Sequence, residues 1–221
     1  MQEYTKIPNI FVRETFGQNR LIEEQYATPE LAYLKDLNWF WTEKVDGTNI
    51  RVFWDGHRVS FAGRTDKADI PAPLQERLQA LFGGESKEEL FEQVFGEKEA
   101  ILFGEGYGGK IQKNGGLYGD TNFILFDVLV GDMYLRQSDM RDVAATLGID
   151  AVPQIGVGPL TDAVEYIRKH PKSELRDFEM EGIVCRPAIE LRDRQGKRII
   201  VKIKCRDFPK ESDNGESVQR V

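Results

Sequence analysis

"EKVDGTNIRVFWDGHRVSFAGR", residues 43–64, carries the reading of the fold. Two β-rich runs flank Asp55-Gly56, the residue pair that most strongly signals a tight hairpin. Directly ahead of the first run stands Lys44, after Glu43 and two residues before Asp46. A lysine among carboxylates is ordinarily a salt-bridge partner; the alternative is a nucleophile. The strand–turn–strand form recurs twice. "TNFILFDVLVGDMYLR" repeats it around Gly131-Asp132, and "EGIVCRPAIELRDRQGKRIIVKIK" around Gln195-Gly196.

Helical patterns separate these hairpins. "PLQERLQALFGG" puts Leu74, Leu78, Leu81 and Phe82 on one face and ends in glycine. "SKEELFEQVFG" has Ser86 with Glu89 three residues on, which predicts a capping box. "SDMRDVAATLG" predicts a helix starting at Ser138 and stopping at Gly148, and "TDAVEYIRKHP" one from Thr161 to Pro171. Hairpins with helices inserted predict an α+β fold with mainly antiparallel sheets and flanking helices. The expected organisation is a single domain over 1–221, with 207–221 as a flexible tail.

Composition narrows the function. No apolar run approaches a membrane span, and "MQEYTKIPNIFVRE" lacks the apolar middle of a signal peptide. No membrane partner is expected. Two cysteines, Cys185 and Cys205, make neither a disulfide framework nor a zinc site; they read as small buried residues in a reducing, cytoplasmic setting. The net charge of −7 argues against a nonspecific nucleic-acid binder. Its distribution is uneven: residues 192–210 hold eight Lys and Arg against two Asp. Such a stretch suits local phosphate contact, or is a solvated strand.

Several motifs fail. "GEGYGGK" has the G-x-G-x-x-G spacing, but "IQKNGGLYG" follows where a dinucleotide fold needs a helix. A P-loop needs Ser or Thr where Ile111 stands, and a kinase catalytic-loop signature is missing. The glycines predict a mobile loop, on which Lys110 and Lys113 are exposed or touch nucleic acid. His57, beside a hairpin turn, and His170, at a helix end, are the only histidines and neither has a partnered serine or cysteine, so imidazole-based catalysis is not expected.

What holds is an ordered series. Lys44 opens K-x-D-G, and Arg64 follows the second strand. Glu105 ends "LFGEG", Phe126-Asp127 closes "FILFD", and Glu181 opens "EGIVCR". Lys202 and Lys204 alternate in "VKIK" and so share a strand face. This series resembles the covalent nucleotidyltransferase superfamily of RNA ligases, DNA ligases and mRNA-capping guanylyltransferases. Lys44 matches the motif I lysine, Arg64 the arginine downstream and Glu105 the motif III glutamate. Phe126 and Asp127 match motif IIIa, Glu181 motif IV, and Lys202 with Lys204 motif V. "KVDGTN" carries Asn49 where DNA ligases and capping enzymes have arginine, and looks like RNA ligases of the double-strand-repair type.

The resemblance implies a nucleotidyltransferase (adenylation) domain without an OB-fold, acting as an ATP-dependent RNA ligase with Mg²⁺ or Mn²⁺. Lys44 would form lysyl-AMP. Arg64 and Glu105 would hold the ribose, Phe126 would stack on adenine, and Lys202 and Lys204 would contact the α-phosphate. Glu181 would hold the metal. Asn49 would orient a phosphate or a 3′-end of RNA carrying 5′-phosphate and 3′-OH ends. Each has a plainer reading: Phe126 as core, Arg64 paired with Asp66 or Asp69, Lys202 and Lys204 as an exposed face, and Asp127 as a turn residue. Few residues follow Lys204, so a stand-alone domain is expected, with a partner protein replacing a C-terminal domain. The alternatives are an ATP-dependent DNA ligase and a non-sealing module that binds nucleic-acid ends.

The chemistry makes one demand on Lys44. A lysine amine of reference pKa about 10.4 is neutral about 0.04% of the time at pH 7, a penalty of about 4.6 kcal/mol. Nearby cations ease this and carboxylates oppose it. Strand alternation is expected to turn Glu43 away from Lys44; Asp46 has no assigned role.

Overall fold

The computed structural model describes residues 2–17 and 19–210. In chain order the first elements are β1 (Phe11–Arg13), β2 (Leu21–Tyr26), α1 (Pro29–Leu34), β3 (Trp39–Glu43), β4 (Thr48–Trp54) and β5 (Val59–Ala62). Next come α2 (Ala72–Phe82), α3 (Glu85–Phe95), β6 (Ala100–Tyr107), β7 (Asn122–Val130), β8 (Met133–Tyr134) and α4 (Gln137–Leu147). The last are β9 (Asp150–Ala151), β10 (Gln154–Gly158), α5 (Leu160–Arg168), β11 (Gly182–Pro187) and β12 (Val201–Lys204). The chain forms two compact units. Unit I is Met1–Tyr4 with Val45–Val152, and unit II is Thr5–Lys44 with Pro153–Val221.

Unit I is built on one sheet in the order β5-β4-β6-β7-β8, with β9 paired to β7. All its pairings are antiparallel except β7 with β9. Strand alternation sends Ile50, Val52, Leu102 and Leu125 to one face, where they meet Leu78 of α2, Phe91 of α3 and Met140 of α4. All are within 1% of full burial. Residues of opposite parity, including Asn49, Arg51, Phe103 and Glu105, line the other face.

Unit II holds a sheet in the order β10-β3-β11-β12, entirely antiparallel. Its core face, with Trp39, Ile183, Cys185, Val201 and Ile203, packs with Leu160, Ala163 and Ile167 of α5. β1 and β2 form a separate pair. Among the described residues there is no closed barrel, and no helix is long and apolar enough to cross a membrane.

Local chemistry shifts several expected boundaries. The Ser86 capping box does not form: α3 begins at Glu85, and the carbonyl of Gly84 receives the amides of Lys87 and Glu88. Gly84 has φ +92°, which lets α2 turn directly into α3 and moves the cap ahead of Ser86. α4 and α5 each begin one residue before the expected serine or threonine. α1 was missed, although "TPEL" signals it: Thr28 Oγ1 accepts the Leu31 amide, and proline follows Thr28. Of the expected tail 207–221, residues 211–221 lie outside the described residues. Phe208 is 2% exposed, and the Asp207 carboxylate accepts from Arg13 at 2.7 Å.

Candidate functional site

In unit II the hairpin β11–β12 lies beside β3. Val184 stands opposite both Thr42 and Lys202, and Gly182 opposite Lys204. Past the end of β3 the Lys44 amide still donates to Gly182 O at 2.9 Å. Glu43 pairs with Ile183 and so points to the core face. There its carboxylate accepts the Ser173 hydroxyl at 2.5 Å and the Glu174 amide at 2.9 Å. Burial pushes this carboxyl above its ordinary range, against the two hydrogen bonds. Lys202 and Lys204 lie on the opposite face.

Glu181 sits at the foot of this hairpin between two ammonium groups. Lys44 Nζ donates to one carboxylate oxygen at 2.5 Å and Lys204 Nζ to the other at 2.6 Å. All three side chains are under a quarter exposed. Burial pushes the Glu181 carboxyl up, but Lys44 and Lys204 together outweigh it and hold it below the usual range. Lys202 has no carboxylate at ion-pair distance among the described residues. Its ammonium is pushed down by burial, then by Lys204 and Lys44. The arrangement is a chain of ammonium, carboxylate and ammonium with one further unneutralised cation.

In unit I, Asn49 of β4 stands directly opposite Glu105 of β6. Opposed residues of an antiparallel pair share a face, so both polar side chains emerge together. Asn49 Oδ1 is buried with no hydrogen-bond partner among the described residues. Phe126 falls at a register shift in β7: Phe103 pairs with Asp127, but Gly104 pairs with Leu125. The extra residue is a β-bulge, which re-aims side chains locally. The Tyr4 ring meets the Phe126 ring edge-on at 5.0 Å, and the Tyr4 hydroxyl donates to Asp127 Oδ2 at 2.7 Å. Arg64 is exposed. The bend carrying it is held by Arg51, which is fully buried and donates to Gly63 O and Asp66 Oδ1, both at 2.8 Å. Asp66 thus pairs with Arg51.

The glycine-rich loop, expected to be mobile, is folded over a 3₁₀ turn at Gly115–Tyr118 and braces motif I. Tyr118 is buried, and its hydroxyl accepts the Asp46 amide at 3.1 Å. Gln112 Nε2 donates to Gly47 O at 3.0 Å. Gly47 itself is a steric requirement: a Cβ there would lie 2.2 Å from Gly106 O and 2.9 Å from Glu105 Cγ. Lys110 and Lys113 are exposed on this loop. The brace was invisible in sequence because it joins positions far apart in the chain.

His170 is closer to a cysteine than expected. The ligating atoms of His170, Glu179 and Cys205 lie within 4.8 Å of one another. Its ring nitrogens face Glu179 Oε1 at 2.8 Å and Phe208 O at 2.6 Å. Burial pushes the Cys205 thiol up to about 12, so it supplies no thiolate nucleophile at neutral pH. Cys185 is likewise free and buried.

The fold has solved counterparts. It is similar to a Naegleria gruberi RNA ligase mutant in its apo form, with a TM-score of 0.67 and 18% identity over 96% of this chain and 58% of that one. Two further mutants of that ligase are similar. One, with ATP and Mn, has a TM-score of 0.63 and 19% identity over 92% of this chain and 60% of that one. The other, with AMP and Mn, has a TM-score of 0.65 and 18% identity over 92% of this chain and 56% of that one. The chain therefore spans about 58% of the length of the first of these ligases. Among curated proteins none matches in sequence. The RNA ligase family model matches residues 37–204, which runs from the strand before Lys44 through motif V. The chain belongs to the RNA ligase family.

Proposed function

We propose that this chain joins RNA ends in an ATP-dependent reaction with Lys44 as the nucleophile. The observation that carries the reading is Glu181 held between Lys44 and Lys204, with Lys202 left unneutralised on the same strand face. The solved ligase of the same fold that contains ATP and Mn supports the choice of nucleotide.

The neutral Lys44 amine attacks the α-phosphorus. A P–N bond forms, the bond to the bridging oxygen breaks, and pyrophosphate leaves. The amine must first turn from Glu181 toward phosphorus. Lys202 and Lys204 stabilise charge building on the phosphate oxygens. The 5′-phosphate of RNA then attacks lysyl-AMP, freeing Lys44 and forming a 5′–5′ pyrophosphate bond to AMP. Last, the 3′-hydroxyl attacks that activated phosphate and AMP departs. Phe126 is assigned to adenine, and Glu105 with Arg64 to the ribose. Asn49 is assigned to a substrate hydroxyl, because its buried Oδ1 is an acceptor awaiting a donor.

An ionised carboxylate at Glu181 offers the hard oxygen donors that Mg²⁺ or Mn²⁺ takes. Such an ion, when bound, would neutralise phosphate charge. RNA repair is the assigned role. Two free buried cysteines suit a reducing cytoplasm. A partner protein or further domain would add grip on RNA.

The test is incubation with α-labelled ATP and Mg²⁺ or Mn²⁺. Wild type is expected to carry acid-stable label and Lys44→Ala none. An unlabelled wild type, or a labelled Lys44→Ala, defeats the reading. Failure to move AMP onto a 5′-phosphate would instead leave an end-binding module. Equal sealing of ribose and deoxyribose 3′-ends would remove the preference for RNA over DNA.

A further inference from the structure

We propose that the arm joining β11 to β12, residues 188–199, is a second contact for the phosphate backbone of RNA, separate from the residues assigned to ATP. The inference rests on the RNA-joining reading above and adds a binding surface to it.

The arm is an ordered, basic projection. Arg192 and Arg198 form a bridge, and the Ile199 amide donates to Leu191 O at 2.9 Å. At the tip Asp193 Oδ1 accepts the amides of Gln195 and Lys197, both at 2.8 Å. Arg192 Nη1 reaches across the turn to Gly196 O at 3.2 Å. Glu190 is engaged by Arg198 through two bonds, 2.7 and 3.0 Å. Both carboxylates of the arm are therefore spent on its own structure. Arg192, Arg194 and Lys197 remain exposed.

Three outward cations on a hydrogen-bonded turn stand out in a chain of net charge −7. The arm also continues the strand bearing Lys202 and Lys204. Lys197 lies five residues before Lys202, about 16 Å of extended chain at roughly 3.3 Å per residue. A polyanion whose reacting phosphate meets β12 would run along cations on the same hairpin. Guanidinium forks suit phosphate oxygens and carry no base readout, so the contact would hold RNA of any sequence.

The experiment compares wild type with the triple variant Arg192→Gln, Arg194→Gln, Lys197→Gln. Binding of a nicked RNA duplex is followed by fluorescence anisotropy from 50 to 200 mM NaCl. Self-adenylylation, which needs no RNA, is expected to be unchanged. The log–log salt slope should be shallower by about 2 to 3 in the variant. Wild type should therefore lose about 16- to 64-fold more affinity than the variant across that salt range. Arg194→Glu, a single exposed change, should weaken binding in the same direction and keeps the test valid if the triple variant folds poorly. Equal affinity and slope in wild type and variants overturn the arm while leaving the ligase reading intact. Wild type that labels itself but does not bind RNA overturns both. Poly-glutamate binding as tightly as RNA, with the same slope, overturns the RNA assignment in favour of an acidic protein partner.

Discussion

Gly47→Ala tests whether the motif I turn is set by backbone packing. Gly47 has no unusual torsion; what it needs is room. An alanine Cβ would sit 2.2 Å from Gly106 O and 2.9 Å from Glu105 Cγ, and both partners belong to the neighbouring strand β6. Relief requires Gly106 O to retreat by about 1 Å. That strains the first rungs of the ladder, Thr48 with Gly106 and Asn49 with Glu105. Overpacking of this kind costs about 1–3 kcal/mol. For a chain of this size that is about 2–12 °C in Tm. A misplacement of about 1 Å at catalytic groups costs on the order of 100-fold in rate. The variant should thus remain folded at 25 °C while self-adenylylation falls about 100-fold. Thermal unfolding and single-turnover labelling with α-labelled ATP measure the two effects. A variant with wild-type rate and wild-type Tm would refute the claim that this glycine sets the spacing between β4 and β6.

Lys204→Met leaves Glu181 with Lys44 alone and removes a charge-assisted hydrogen bond of 2.6 Å. A loss of about 1.5–3 kcal/mol is expected, or about 3–12 °C in Tm, measurable by calorimetry. Glu181 also has a pH signature: its folded-state value lies below the ordinary 4.5, so its contribution is present above that value and is lost as pH falls through the depressed one. The Tm difference between wild type and Glu181→Gln should therefore be present at pH 6 and shrink progressively as the pH is lowered below 4.5. Glu43→Gln should keep or raise stability at neutral pH, because burial disfavours the Glu43 charge, and a glutamine can accept the Glu174 amide while donating to Ser173 Oγ; a lower denaturation midpoint would contradict this. Arg51→Met should cost about 1–3 kcal/mol per orphaned carbonyl and raise the KM for ATP, by displacing the bend that carries Arg64.

The sequence announced what is local. Each hairpin turn, the alternation in "VKIK" and the amphipathic face of α2 are visible within a dozen residues, because periodicity and turn chemistry act over that range. The series from Lys44 to Lys204 was legible as an order of residues, and the family model spans the same stretch. What was not legible is set by pairing between distant segments. The bulge at Phe126 exists only relative to β6, and the bond from Tyr118 to Asp46 joins positions 72 residues apart. The glycine-rich loop misled for the same reason: its glycines signalled freedom, whereas distant backbone partners pin it. Asp46, unassigned from sequence, has its amide in that brace. The failed Ser86 cap shows a Gly-Gly link overriding a good local signal.

The division at Lys44 and Val45 also constrains how the protein is made. As the chain leaves the ribosome, β3 emerges early, with Lys44 just past its end. Its hydrogen-bonding neighbours β10 and β11 lie beyond residue 153, and Thr42 waits 144 residues for Arg186. Meanwhile the 45–152 segment can pair most of its strands with sequence neighbours. Short-range pairings form faster than long-range ones, so this middle body should mature during synthesis while β3 remains an unpaired, tryptophan-bearing edge. Lys44 would then be among the last residues to gain its surroundings, because Glu181 and Lys204 leave the ribosome after it by more than 130 residues.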